Sequence, residues 1–257
     1  MHFTFLGTAG AIPARDRDTT SIVFVGDGDA VLVDCGGSPM QKLLLAGVTR
    51  DALRRVIITH MHTDHVYWLP ALVETLSLLG RKAPLHLACR EEHEQPLRTL
   101  LGVFRQLARS EIFPIVWELV PARERFVLPA VGSFTVSASP NAHGSMPNIA
   151  VRLEAPGRLA VAYSSDTEPC DAVADLAHGA HTLIHEATYS ERRTARIGVH
   201  STAAEAGAIA ARAEVRRLIL AHIDVGHHAE LDLHRDEARA HFGGEVEVAR
   251  ELVPYPL

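Results

Sequence analysis

Four metal-binding side chains stand within six positions, His60, His62, Asp64 and His65, in the segment Thr59-His60-Met61-His62-Thr63-Asp64-His65. Imidazole and carboxylate are the donors that hold zinc, and less exclusively manganese or iron. His60 and His62 are two apart, so in extended backbone they project the same way. Asp64 and His65 follow a turn and can face a second point. One short segment thereby offers ligands to two metal ions. The plain alternative is a His-rich surface loop in a chain with 16 histidines. Position argues against it. The segment follows Arg55-Val56-Ile57-Ile58, an apolar β-branched run that reads as a buried parallel strand. Leu69 to Leu76 then reads as a helix that tolerates Pro70 in its first turn. In open α/β sheets the carboxyl ends of the strands are where ligands bind.

The elements around this segment follow from turn chemistry and periodicity. His2–Leu6 enters as a strand, without the basic start and apolar stretch of a signal peptide. Ser21–Val25 and Ala30–Val33 flank Gly26-Asp27-Gly28-Asp29 as a hairpin. The second of these strands ends at Asp34, which reads as a turn or cap residue. A helix from Ser38 closes near Gly47. The helix from Leu69 carries one apolar face of Leu69, Leu72, Val73, Leu76 and Leu79. Tyr67, Ala71 and Leu78 form a second stripe, which predicts a subunit interface and a homodimer. Further strands are expected at Pro84–Ala88, Ile115–Val120, Arg125–Leu128 and Ser133–Ser139, with a surface helix over Arg90–Leu101.

Composition bounds the rest. With 257 residues and 47% hydrophobic content, the chain can bury a sizeable core, and 1–257 is expected to act as a single domain. No run reaches the roughly 18 apolar residues of a membrane span. Cys35, Cys89 and Cys170 are odd in number and scattered, which argues for reduced thiols and a cytoplasmic protein. The net charge of −6 and the lack of a Lys/Arg block advertise no nucleic-acid groove.

The H-x-H-x-D-H pattern resembles the signature of the metallo-β-lactamase superfamily. That resemblance implies a four-layer αββα sandwich of class α/β (α+β), and gives Asp34 a supporting role behind the metal loop. A second set of ligands then falls at strand ends. His143 follows Phe134–Ala138, Asp166 follows Leu159–Tyr163, and His222 follows Leu218–Ala221. His60, His62, His143 and Asp166 are assigned to one metal. Asp64, His65, His222 and a bridging Asp166 are assigned to the other. Two divalent ions, Zn2+ or else Mn2+ or Fe2+, are the expected cofactors. They would hold a hydroxide and clamp an in-line displacement at phosphorus, with Asp64 accepting the water's proton.

Further motifs look like the ribonuclease Z branch. These are Phe5-Leu6-Gly7-Thr8, Tyr163-Ser164-Ser165-Asp166-Thr167, His185-Glu186-Ala187-Thr188 and His200-Ser201-Thr202, with Phe242–Ala249 similar to that branch's last strand. Glu186 is expected in the loop after the strand Thr182–Ile184, and Thr202 with Glu205 reads as a capping box. By the resemblance, Glu186 and His200 line the phosphate side and pass a proton to the leaving oxygen.

Two departures bear on substrate. Only 23 positions separate His143 from Asp166, enough for two strands and a turn at Pro156-Gly157. The tRNA-processing enzymes resembled here carry a long arm in that interval that grips tRNA. Ile223-Asp224-Val225-Gly226-His227-His228 stands where the family offers an arginine. His227 and His228 are expected in solvent or in that arginine's place, and Arg15, Arg17, Arg81 and Lys82 are candidates for a basic mouth. The leading reading is a phosphodiesterase for small or exposed phosphodiesters, including short RNA. A tRNA 3′-processing endoribonuclease is the alternative, and a non-catalytic metal-binding protein the third.

Overall fold

The apolar runs form two seven-stranded sheets in the computed structural model, which describes residues 1–192 and 199–257. The first sheet contains β1 (His2–Gly7), β2 (Ser21–Val25), β3 (Ala30–Val33), β4 (Leu53–Ile57), β5 (Leu85–Arg90) and β6 (Ile115–Val120). The second contains β7 (Phe126–Val127), β8 (Thr135–Pro140), β9 (Ile149–Glu154), β10 (Val161–Tyr163), β11 (Thr182–Glu186), β12 (Arg217–Ala221) and β13 (Glu245–Val248). A last strand, β14 (Pro254–Pro256), returns to the first sheet and pairs antiparallel with β1. The orders are β14-β1-β2-β3-β4-β5-β6 and β13-β12-β11-β10-β9-β8-β7. In each sheet four consecutive strands are parallel, β3 to β6 and β10 to β13.

Both faces of these strands are covered, which is why they read as continuous apolar runs rather than alternating ones. In β4, Val56 points toward the helices and its neighbour Ile57 toward the other sheet. Phe3, Phe5, Phe24, Val151, Ile184 and Ile219 form the core between the sheets. Helices α1 (Pro39–Leu45), α3 (Leu69–Leu78) and α4 (Glu94–Val103) cover the first sheet, burying Leu72, Leu76 and Leu97 with Leu32 and Val56. Helices α5 (Asp171–Ala177), α6 (Ala203–Arg212) and α7 (Leu231–His241) cover the second, on Leu183 and Leu218. A four-layer αββα sandwich results.

Several expectations change. Glu186 is the last residue of β11, not a loop residue, because pairing with β12 continues to Glu186 opposite Ala221. Phe242–Ala249 contains β13, and the chain continues past it to β14 in the other sheet. The surface helix over 90–101 is a short 3-10 turn, Glu91–His93, followed by α4. Arg81 does not reach any mouth. It is fully buried and donates to the carbonyls of Arg50, Ala83 and Pro84. Arg17 is also engaged, with the Thr8 hydroxyl at 3.0 Å.

Candidate metal centre

The parallel strands of both sheets deliver their carboxyl ends to one edge, where the chain turns sharply. Asp34 after β3, Ser165 after β10 and His222 after β12 adopt left-handed backbone, with φ of 63°, 54° and 55°. For residues with a Cβ each such conformation costs on the order of 1 kcal/mol or more, so the surrounding contacts must hold them there. After β4, Thr59 and His60 continue buried, and His62 caps the single helical turn α2 (Thr63–Val66) that carries Asp64 and His65. Gly36 is required beside this turn, since a Cβ there would strike the Asp64 carbonyl.

Seven side chains converge in two groups that share Asp166. His60, His62, His143 and Asp166 form one, and Asp64, His65, His222 and Asp166 the other, with donor atoms in each group within 4.8 Å of one another. In the first, His62 Nδ1 lies 3.0 Å from His60 Nε2 and 3.1 Å from His143 Nε2. In the second, Asp166 Oδ2 lies 3.3 Å from His65 Nε2 and 3.2 Å from His222 Nε2, and Asp64 Oδ2 is 3.3 and 3.4 Å from the same nitrogens.

These groups fit metal ions by the chemistry of their unused atoms. The Nδ1–H of His143 donates to the Val199 carbonyl at 3.0 Å, and that of His65 to Asp34 Oδ2 at 2.8 Å. In the neutral rings this leaves bare lone pairs on Nε2. His65 Nε2 and Asp166 Oδ1 are buried without a hydrogen-bond partner among the described residues. Lone pairs and carboxylate oxygens aimed at one another without donors are stabilised by a cation between them. Protons can take the cation's place. Burial would lower the His65 pKa, but Asp166 and Asp34 outweigh it and raise it well above the usual range. Burial pushes the Asp166 carboxyl upward, but charged His222 and His65 outweigh it and hold it well below the usual range. Burial, then the charge of His65, keeps His60 neutral. A cation would displace those protons, since it binds only the neutral rings.

Beside the second group, Glu186 is fully buried and saturated with donors. It accepts from the amides of Thr167, Thr188 and Ser201 at 3.0, 3.0 and 3.1 Å, from the Thr188 hydroxyl at 2.8 Å and from His200 Nδ1 at 2.9 Å. The His200 ring stacks on His222 with centroids 5.4 Å apart. Thr188, whose role the sequence did not disclose, also lies 3.0 Å from His222 Nδ1. Asn148 was missed altogether. Its amide donates to the Asp166 carbonyl at 2.6 Å, a contact that arises only when β9 and β10 are brought together. His227 and His228 are half-buried rather than in solvent. His228 Nε2 donates to the Ile223 carbonyl at 2.9 Å, and His227 packs against His234.

The family profile described as Beta-lactamase superfamily domain matches residues 29–223. A protein named Ribonuclease Z from Methanothermobacter thermautotrophicus is 31% identical, over 87% of this chain and 86% of its own length. Another of that name, from Natronomonas pharaonis, is 29% identical over 100% of this chain and 99% of its own. Its alignment runs to 309 positions against the 257 residues here, so this relative carries some fifty positions that this chain lacks. The crystal structure of human tRNase Z, short form, superposes with a TM-score of 0.80 at 23% identity, covering 100% of both chains, and so shares the fold. The chain belongs to the metallo-β-lactamase superfamily, in its ribonuclease Z-like branch of metal-dependent hydrolases.

Proposed function

We propose that the protein is a phosphodiesterase acting on small or exposed phosphodiesters, short RNA among them, at a dinuclear metal centre. The observation that carries this reading is the adjacency of two donor groups sharing Asp166 to a buried Glu186–His200 pair. His60, His62, His143 and Asp166 would hold one divalent ion, and Asp64, His65, His222 and Asp166 the other. Zn2+ suits the donors best, and Mn2+ or Fe2+ are accommodated by the same set. Bound there, such ions supply Lewis-acid charge and lower the pKa of a water toward neutrality.

The chain's own residues do the remainder. Asp34, the Val199 carbonyl and Thr188 fix the tautomers and ring orientations of His65, His143 and His222. Asp64 orients the attacking water and accepts its proton. His200 serves the leaving oxygen. Burial alone would lower its pKa, but the hydrogen bond and charge of Glu186 outweigh that and raise it to about 9. The imidazole is therefore charged at neutral pH and can give up Nε2–H. Glu186 has no oxygen to spare, so it positions and charges His200 rather than supplying the proton.

The substrate size rests on the short turn between β9 and β10 and on the fifty or so positions absent relative to the Natronomonas protein. A tRNA 3′ endonuclease is the second reading, favoured by the names of the relatives. Comparing kcat/KM for bis-p-nitrophenyl phosphate and for precursor tRNA at physiological salt decides between them. Precursor tRNA cut orders of magnitude more efficiently makes the second reading correct. Among the described residues no helix is long and apolar enough to cross a membrane, and Cys35, Cys89 and Cys170 are free. We place the protein in the cytoplasm, acting as one domain and as a homodimer.

A further inference from the structure

A hollow of about 620 Å³ lies at the pole of the second sheet opposite the metal centre. It is built where strands begin. Ala160 precedes β10, His181 precedes β11 and Arg216 precedes β12, whereas Asp166, Glu186 and His222 stand at the far ends of those strands. β11 alone has five residues, roughly 16 Å at about 3.3 Å per residue. One phosphodiester cannot touch both places.

Positive charge outnumbers negative in this hollow, with Arg152, Arg158 and Arg216 against Glu154 and Glu214. Arg158 and Arg216 are exposed, and among the described residues neither guanidinium has a hydrogen bond or ion pair. Half-buried His181 lines the same space, its Nδ1 occupied by the Thr182 hydroxyl at 2.9 Å. Two carboxylates also line the hollow, and neither contacts Arg158 or Arg216. Glu154 binds Arg152 at 2.6 Å, whose guanidinium is further fixed by the Leu176 and His178 carbonyls, and Glu214 faces His178 at 3.8 Å. In a chain of net charge −6, two unpaired guanidiniums on one concavity are a local exception. Their planar forks match phosphate oxygens two at a time.

We propose that this hollow is a phosphate-binding site separate from the metal centre, with Arg158 and Arg216 as the principal contacts and His181 as a third. The ligand is a phosphate group, carried either by a small phosphorylated molecule or by an RNA backbone. The site does not depend on which bond the metal centre cleaves.

Amide chemical shifts of the metal-loaded protein, followed during titration with inorganic pyrophosphate and separately with an RNA hairpin, test it. Ala180, His181 and Arg216 are expected to move in the wild type. The double variant Arg158→Ala, Arg216→Ala should lose those shifts with at least a tenfold fall in affinity at the pole, while shifts around His62 persist. The variant should also lower the salt slope of RNA binding by about 2, at roughly 0.9 per duplex phosphate contact, if the site serves RNA. Pole shifts with pyrophosphate and none with the hairpin assign it to a small phosphorylated ligand. If the alanine variant melts earlier, the Arg→Gln pair replaces it. Absence of pole shifts with both probes, or shifts unchanged in the variant, overturns the proposal.

Discussion

Asp34 and His200 are proposed to serve the same centre by different routes, and substitution separates them. Both Asp34 oxygens are committed, Oδ2 to His65 and Oδ1 to the Thr59 amide at 2.9 Å. Asp34→Ala leaves every proposed ligand in place but releases the His65 ring. We expect metal affinity to fall about 10- to 100-fold, measured by competition with a chelator, and unchanged affinity would remove Asp34 from the centre's support. His200→Ala should leave metal content intact. Its turnover of a diester with a poor leaving group should drop roughly 10²- to 10⁴-fold. A p-nitrophenyl leaving group needs little protonation and should hide most of that loss. Equal losses on both substrates would mean that His200 does not serve the leaving oxygen.

At the scale of elements, the sequence made strands legible wherever both faces are apolar, as in β3, β4, β11 and β12. It also picked out the seven side chains that the strand ends bring together, because histidine and aspartate directly after such runs have few other uses. The capping box of Thr202 and Glu205 was readable for a similar reason, since its two reciprocal bonds are local in sequence. What escaped depends on tertiary neighbours. Arg81 reads as surface charge until the carbonyls that need it are assembled, and Asn148 has no pattern at all. His234 on α7 belongs with these. It is fully buried, and burial first, then the nearby charge of His227, lowers its pKa to about 4. Since the folded value lies below the unfolded 6.5, the unfolded chain binds the proton more readily. Stability from this residue is therefore present above pH 6.5 and is lost as pH falls toward 4, by roughly 3 kcal/mol. Urea unfolding at pH 7 and pH 5 should show a smaller acid loss for His234→Leu than for the wild type. Parallel losses in the two proteins would show that His234 is not responsible.

For the whole molecule, Leu44 and Leu45 on α1 and Tyr67, Leu78 and Leu79 around α3 are exposed apolar side chains. Tyr67 and Leu78 belong to the stripe that suggested a homodimer. Light scattering coupled to size exclusion should give twice the chain mass, and Leu78→Glu should give a monomer of unchanged melting temperature. A wild-type monomer at all concentrations would end that idea. The opposite problem, unwanted association, is posed by the rim of the first sheet. There β14 covers β1, with Tyr255 stacked on Phe3 at 5.0 Å, and two of its three residues are prolines, Pro254 and Pro256. Proline has no N–H to offer an incoming strand. A sheet rich in aromatic residues is thereby finished with a border that cannot be copied onto. Pro254→Thr with Pro256→Thr should keep the pairing to β1 yet shorten the lag before turbidity appears on warm storage, so that three residues far from the metal centre set how concentrated this enzyme can be kept.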